Sequence, residues 1–167
     1  MKRSAGVLMP ISSLPSKYGI GTLGKGARDF IDFLEKSGQT YWQVLPIGPT
    51  GYGDSPYQSF SSNAGNPYFI DLDDLCDEGY LEKEEYVNEN YGTDVNCVDY
   101  AQIYNTRFTV LRKAVERLSA VQTEDYLSFL RDNAYWLNDY ALFMAEKDDH
   151  KGQAYTTWKF IDRKSVV

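Results

Sequence analysis

The most constraining feature of this chain is an amphipathic helical segment set between two short apolar runs of strand length. Ala27, Phe30, Ile31 and Leu34 fall at i, i+3, i+4 and i+7, with Asp29, Asp32, Glu35 and Lys36 between them and Gly38 in the C-terminal capping position. That spacing puts an apolar stripe on one face of a helix and ends it at a residue free to turn left-handed. Ala5 to Met9, stopped by Pro10, precedes the helix, and Tyr41-Trp42-Gln43-Val44-Leu45-Pro46 follows it. Both runs read as buried strands. A helix between two such strands is a βαβ unit, which requires parallel pairing and a right-handed crossover. The predicted class is therefore α/β.

Length limits what that unit can grow into. The chain has 167 residues, whereas a closed eight-fold β/α barrel needs about 200 at the least. Charge limits its partners: 17 Lys plus Arg against 24 Asp plus Glu give a net charge of -7, the wrong sign for holding phosphate backbones, so nucleic acid is not expected. Tyrosine is over-used, with 14 Tyr beside 8 Phe and 3 Trp. A Tyr ring suits either a core or a surface that meets amphipathic ligands such as sugars. Cys76 and Cys97 form no CxxC motif and no zinc set, so they read as reduced thiols of a cytoplasmic protein. Met1-Lys2-Arg3 is followed by an apolar stretch that Pro10 cuts too short for a signal peptide, and no run approaches the ~18 residues of a membrane span.

Residues 48–67, GPTGYGDSPYQSFSSNAGNP, are about twenty residues without helical or strand period. Loops of that length in a compact domain are usually functional or disordered. Tyr52, Tyr57 and Phe60 argue against disorder. The loop also leaves the carboxyl end of a parallel strand, where α/β folds place their sites. Tyr68 to Leu72 reads as a further extended run, and from Asp73 the composition turns acidic and helical. The predicted division is 1–72 and 73–167. One helix is expected to start near an N-cap at Asp99 and to carry Ile103, Tyr104, Leu111, Val115 and Leu118 on one face. Another, capped by Thr123, is expected to run to about Lys147. His150 to Val167 carries weak signals.

No self-contained catalytic constellation is present. The single histidine, His150, lies in a polar Asp-Asp-His-Lys-Gly turn and reads as solvated, so a Ser-His-Asp triad has no base. HExxH and GxxxxGK[ST] are absent, and the Gly19/Gly21 and Gly24/Gly26 pairs read as turn residues. In the long loop, Tyr52 and Tyr57 sit among glycines and Pro56, so their rings can stand clear and offer flat faces to pyranose C–H groups. Asp54, Ser55, Gln58 and Asn66 can bond hydroxyls, which is the mixture a carbohydrate surface needs. The alternative is a structural loop whose aromatics plug a barrel mouth. A third possibility is a purely structural helical protein.

The run from Tyr41 to Ser61, YWQVLPIGPTGYGDSPYQSFS, followed by Ala64-Gly65-Asn66-Pro67, resembles the signature of the 4-α-glucanotransferases, the amylomaltase or disproportionating-enzyme family. The resemblance continues in Ser12-Ser13-Leu14-Pro15 and Tyr18-Gly19-Ile20-Gly21 upstream. Downstream it includes Val98-Asp99-Tyr100 and the stretch from Trp136 to Met144. It reaches to about Trp158, and Asp162 to Val167 departs from the expected pattern, as a frameshifted or appended tail would.

This resemblance implies a TIM barrel of the α-amylase clan with helical insertions. Ala5 to Met9 and Tyr41 to Pro46 would be its first two strands, and the helices after Asp73 an inserted subdomain. It implies retaining transfer of an α-1,4-glucan segment from a donor to an acceptor glucan or glucose, through an Asp nucleophile and a Glu acid/base. Those carboxylates would lie on later strands, so no catalytic residue is expected here. The chain would be an N-terminal fragment with an incomplete barrel. Carried over by position, Tyr57 would stack on a donor glucose and Ser55 would bond a hydroxyl nearby. Asp54, Pro56 and Gln58 would shape the same wall. Tyr52 and Tyr104 would belong to a secondary glucan groove. The implied partners are maltose, maltodextrins and amylose, with neither membrane nor nucleic acid, and the resemblance implies no metal and no organic cofactor. The alternative within the family is a non-catalytic glucan-binding remnant.

Overall fold

Strand β1 (Gly6–Leu8) pairs in parallel with β2 (Tyr41–Gln43), with Val7 opposite Trp42, and helix α1 (Lys25–Lys36) joins them. A computed structural model describes residues 3–94, 96–121 and 123–158. Gly38 takes a φ of 68°, the left-handed turn expected just past the helix. The strands are shorter than their apolar runs, although Thr40 N donates to Ala5 O at 2.8 Å and Met9 N to Gln43 O at 3.0 Å beyond them. They are also less buried than expected. Val7 and Trp42 are half-covered, while Leu8, Tyr41 and Val44 are exposed. Side chains alternate across a strand, and the covered side meets α1 through Trp42 on Phe30, ring centroids 5.0 Å apart. On α1 itself Ala27 and Leu34 are buried, but Ile31, at the edge of the stripe, is exposed.

The chain divides into two compact units, Met1–Val121 and Gln122–Val167. The change of composition near Asp73 lies inside the first. There, the run Tyr68 to Leu72 forms no strand, and only Ile70 and Asp71 within it are extended. Pro67–Phe69 forms a 3₁₀ turn and Leu72–Asp77 a short helix, α2. Asn66 and Asp71 cap these two turns by accepting backbone N–H groups, which local propensity toward a strand does not anticipate.

The main core of this unit gathers Tyr18, Ile20, Tyr68, Leu72, Leu81, Tyr86, Tyr91, Ile103 and Val110. Four of these are tyrosines, and their hydroxyls must find partners to be buried cheaply. Tyr18 and Tyr86 both donate to Asp73 Oδ1, at 2.6 and 2.8 Å, and Tyr91 donates to the Tyr86 carbonyl at 2.9 Å. Burial first, then the Asp73 carboxylate, raises the Tyr18 and Tyr86 hydroxyls well above the usual range.

Helix α3 (Tyr100–Val121) starts where Asp99 Oδ1 accepts from Gln102 N at 3.0 Å, as its capping role predicts. Its buried stripe is Ile103, Arg107, Val110, Leu111 and Ala114, whereas Tyr104 and Val115, expected on that face, are exposed. Arg107 is fully buried and donates through Nη2 to the Ile70 carbonyl. Its Nε and Nη1 have no hydrogen-bond partner among the described residues. Burial pushes the guanidinium down to about 10, against the pull of Tyr91 and Asp71.

The second unit contains α4 (Glu124–Asp132) and α5 (Ala134–Asp149). Thr123 caps α4, accepting from Tyr126 N. The single helix expected to Lys147 is broken at Asn133, whose φ of -107° and ψ of 7° leave the helical region. The Asn133 side chain donates to the Phe129 carbonyl at 2.9 Å and accepts from Trp136 Nε1 at 3.0 Å, closing one helix and steadying the next. His150 is not simply solvated: its ring stacks on Trp158, centroids 4.8 Å apart, and its Nδ1 lies 2.9 Å from the Glu146 carbonyl. The segment Asp162 to Val167 lies outside the described residues.

Candidate functional site

The loop after β2 is held at its base and open at its tip. Asn66 N donates to the Ile47 carbonyl at 2.8 Å, and Thr50 and Ser59 form an antiparallel bridge further in. Two tight turns then fill the tip, closed by Asp54 N to Gly51 O and by Gln58 N to Ser55 O, both 3.1 Å. Gly53 and Asp54 follow one another with φ of 86° and 53°. Glycine adopts that conformation freely, whereas an aspartate does so at some cost. Outside this pair of turns the aromatic rings have nowhere to pack, so Tyr52 is fully exposed and Tyr57 is 73% exposed.

Beneath the loop lies a small cavity of about 40 Å³, lined by residues that include Ser12, Thr50, Asp54, Pro56, Asn66 and Tyr100. Pockets that enclose a small molecule are typically about 300–1,000 Å³. The cavity is therefore too small to enclose a sugar. Asp54 turns its carboxylate inward, accepting from Thr50 Oγ1 at 3.3 Å. Burial holds this carboxyl above its ordinary range, with the Thr50 hydroxyl pulling the other way. Tyr68, below, is pushed up to about 12 by burial and then by the Asp54 charge.

Of the residues singled out in the sequence, Asp54 and Pro56 share the cavity wall. Ser55, Tyr57 and Gln58 do not: they lie on the outer turn, where Ser55 Oγ accepts from Tyr57 N at 3.4 Å and Gln58 is exposed. Tyr52 stands apart in the preceding turn. Tyr104, on α3, is 54% exposed and meets Phe108 edge-on at 5.3 Å, and Phe108 in turn packs on Tyr68. Asn66 lines the cavity and not the outer face. It is buried, and its Oδ1 accepts from Tyr68 N at 3.0 Å. The Asn-Pro pair, with Pro67 as first residue of the turn, is the signal that could have shown this. Thr50, Ser12 and Tyr100 also line the cavity; they stand within the motifs that carry the resemblance, although no site role is expected of them from the sequence.

Chemically, the outer face offers flat rings beside hydrogen-bonding groups, and the cavity wall holds one carboxylate. A retaining displacement at a sugar needs two, about 5–5.5 Å apart. Among the described residues no group of three or more His, Cys, Asp or Glu side chains could hold a metal ion, and both cysteines are free thiols. No helix among the described residues is long and apolar enough to cross a membrane.

The family model described as 4-alpha-glucanotransferase matches residues 9–166, so the likeness runs past Trp158 through most of the tail that was expected to depart from it. The 4-alpha-glucanotransferase of Clostridium butyricum is 51% identical over 150 residues, covering 90% of this chain and 31% of that protein. That of Streptococcus pneumoniae is 49% identical over 165 residues, covering 98% of this chain and 33% of its own length. Among solved structures, an amylomaltase from Streptococcus agalactiae in complex with acarbose superposes with a TM-score of 0.88 at 44% identity, over 95% of this chain and 32% of that one. The chain thus spans about a third of the relatives it matches, and it belongs to the 4-alpha-glucanotransferase family.

Proposed function

We propose that this chain serves 4-α-glucanotransferase activity by supplying part of the glucan-binding wall, in a reaction that moves an α-1,4-glucan segment from a donor to an acceptor glucan or glucose. The observation that carries this reading is the exposure of Tyr57 and Tyr52 on a loop clamped at its base. Exposed rings on an anchored backbone lose little freedom when a ligand stacks on them. Tyr57 would stack on a donor glucose, Ser55 would bond a hydroxyl beside it, and Asp54, Pro56 and Gln58 would shape that wall. Tyr52 and Tyr104 would take a second stretch of glucan. The acarbose bound to the Streptococcus agalactiae amylomaltase supports α-glucan ligands for this fold.

In this reading β1 and β2 are the first two strands of an eight-stranded barrel, and residues 73–167 are a helical insertion. The acid/base Glu and nucleophilic Asp come from parts of the enzyme outside the matched third. The site of action is cytoplasmic, and the substrates are maltose, maltodextrins or amylose. The single carboxylate on the cavity wall favours one second reading, a glucan-binding role without catalysis.

A chimera tests the proposal. The first third of the Clostridium butyricum enzyme is replaced by this chain and the product is incubated with maltotriose. A ladder of longer maltooligosaccharides, weakened by Tyr57→Ala, is the expected result. A folded chimera that makes the ladder equally well with and without Tyr57 would remove the assigned wall.

A further inference from the structure

We propose that Asp54 is a positioning residue, an inward latch whose bond from Thr50 holds the two turns of the loop in the conformation that presents Tyr52 and Tyr57. This deepens the glucan-binding reading and takes from it only the purpose of the presentation. Asp54 is one of two non-glycine residues with positive φ among the described residues. A side chain held in such a conformation requires compensation from its surroundings. The compensation here is on the page. The carboxylate accepts from Thr50 Oγ1, four residues back, so the side chain closes the same turn that Asp54 N closes on Gly51 O. Thr50 is itself tied across the loop to Ser59 by the antiparallel bridge. One side chain therefore links the Tyr52 turn to the strand-like pair that frames the Tyr57 turn.

The surroundings of the carboxylate separate a latch from a sugar ligand. Asp54 lines the cavity with Ser12, Asn66 and Tyr100, whereas the exposed Tyr52 and Tyr57 do not line it. Its charge is felt by Tyr68 and Tyr100, both beneath it. Burial opposes ionisation of this carboxylate, and the Thr50 bond is the one interaction among the described residues that favours its charge. An amide of the same shape would accept the Thr50 hydroxyl as well and tolerates the left-handed backbone. An alanine would keep neither advantage.

The test is residue-resolved amide hydrogen exchange on the full chain, with maltoheptaose titration in parallel. Asp54→Ala should speed exchange at the Asp54 and Gln58 amides about fivefold or more, the equivalent of losing a hydrogen bond of ~1 kcal/mol. The Asn66 amide, bonded at the base of the loop, should change little. Asp54→Asn, which keeps the acceptor for the Thr50 hydroxyl, should stay close to the parent in exchange. Thr50→Val, which leaves the backbone of residue 54 untouched, should repeat the Asp54→Ala pattern, so the proposal is tested even if the alanine variant fails to fold. Unchanged exchange in Thr50→Val, or Asp54→Asn behaving like Asp54→Ala, would overturn the latch. Lost affinity with unchanged exchange would also overturn it, because Asp54 would then touch the sugar directly. Turns loosened by Asp54→Ala and Thr50→Val, beside a parent chain that binds no maltoheptaose, would uphold the latch and count against the glucan reading instead.

Discussion

Tyrosine is used in opposite ways in two regions of this molecule. In the core, Tyr18, Tyr68, Tyr86 and Tyr91 are buried, and three of them spend their hydroxyls on Asp73 or a backbone carbonyl. In the loop that ends just before Tyr68, Tyr52 and Tyr57 are exposed and have no ring partner among the described residues. The same side chain thus fills a structural layer with its hydrogen bond satisfied internally, and offers a surface whose apolar face awaits a ligand. The composition could not separate these uses. The difference teaches that presentation by the loop depends on the layer below it, because Tyr68 both belongs to the core and directly follows the loop's closing residues, Asn66 and Pro67.

The largest expected effect strikes the buried side. Leu72 is wholly enclosed, so Leu72→Ala should cost about 2–5 kcal/mol of stability in a thermal or urea melt. Next, Tyr86→Phe removes a hydrogen bond to the Asp73 carboxylate and should cost about 1.5–3 kcal/mol. An unchanged midpoint would show that Asp73 is satisfied by Tyr18 alone. On the exposed side, Tyr57→Ala should leave the melt within about 0.5 kcal/mol while weakening maltoheptaose binding roughly tenfold, a loss of ~1.4 kcal/mol. If the melt fell instead, Tyr57 would belong with the core tyrosines and the comparison would break.

The smallest effect concerns the surface. Arg28 forms a bidentate pair with Asp74, 2.7 and 2.9 Å, and that bond holds the Asp74 carboxyl below its usual range. A depressed folded value contributes stability that is present above the unfolded value of about 3.9 and is lost as pH falls through the folded one. Melts of the parent and of Arg28→Ala should therefore differ slightly at neutral pH and converge at strongly acid pH.

The sequence was most legible where structure is set by neighbouring residues. Gly38 after α1, Asp99 before α3 and Thr123 before α4 all act within one turn of where they stand, and the parallel βαβ unit follows from the alternation of apolar runs. It was least legible where distant groups decide. The break at Asn133 depends on whether an asparagine bonds backward to Phe129 or points to solvent. Arg107 falls on the period of Ile103, Val110 and Ala114 and so could have been placed in the buried stripe, but its partner, the Ile70 carbonyl, comes from another element. In the loop, the motif from Tyr52 to Gln58 was visible as a unit. Its division into an outer face with Tyr57 and Gln58 and an inner one with Asp54 depends on the Thr50 bond and the left-handed turn at Gly53 and Asp54.

The measurement that tests the account most directly is calorimetric titration of the full chain with maltoheptaose, beside Tyr57→Ala and Tyr86→Phe, with a melt of each sample. The account predicts saturable binding that weakens in Tyr57→Ala at an unchanged melting temperature, and a lowered melt with retained affinity in Tyr86→Phe. A parent chain that melts cooperatively yet takes up no maltoheptaose, or binding indifferent to Tyr57, would contradict it.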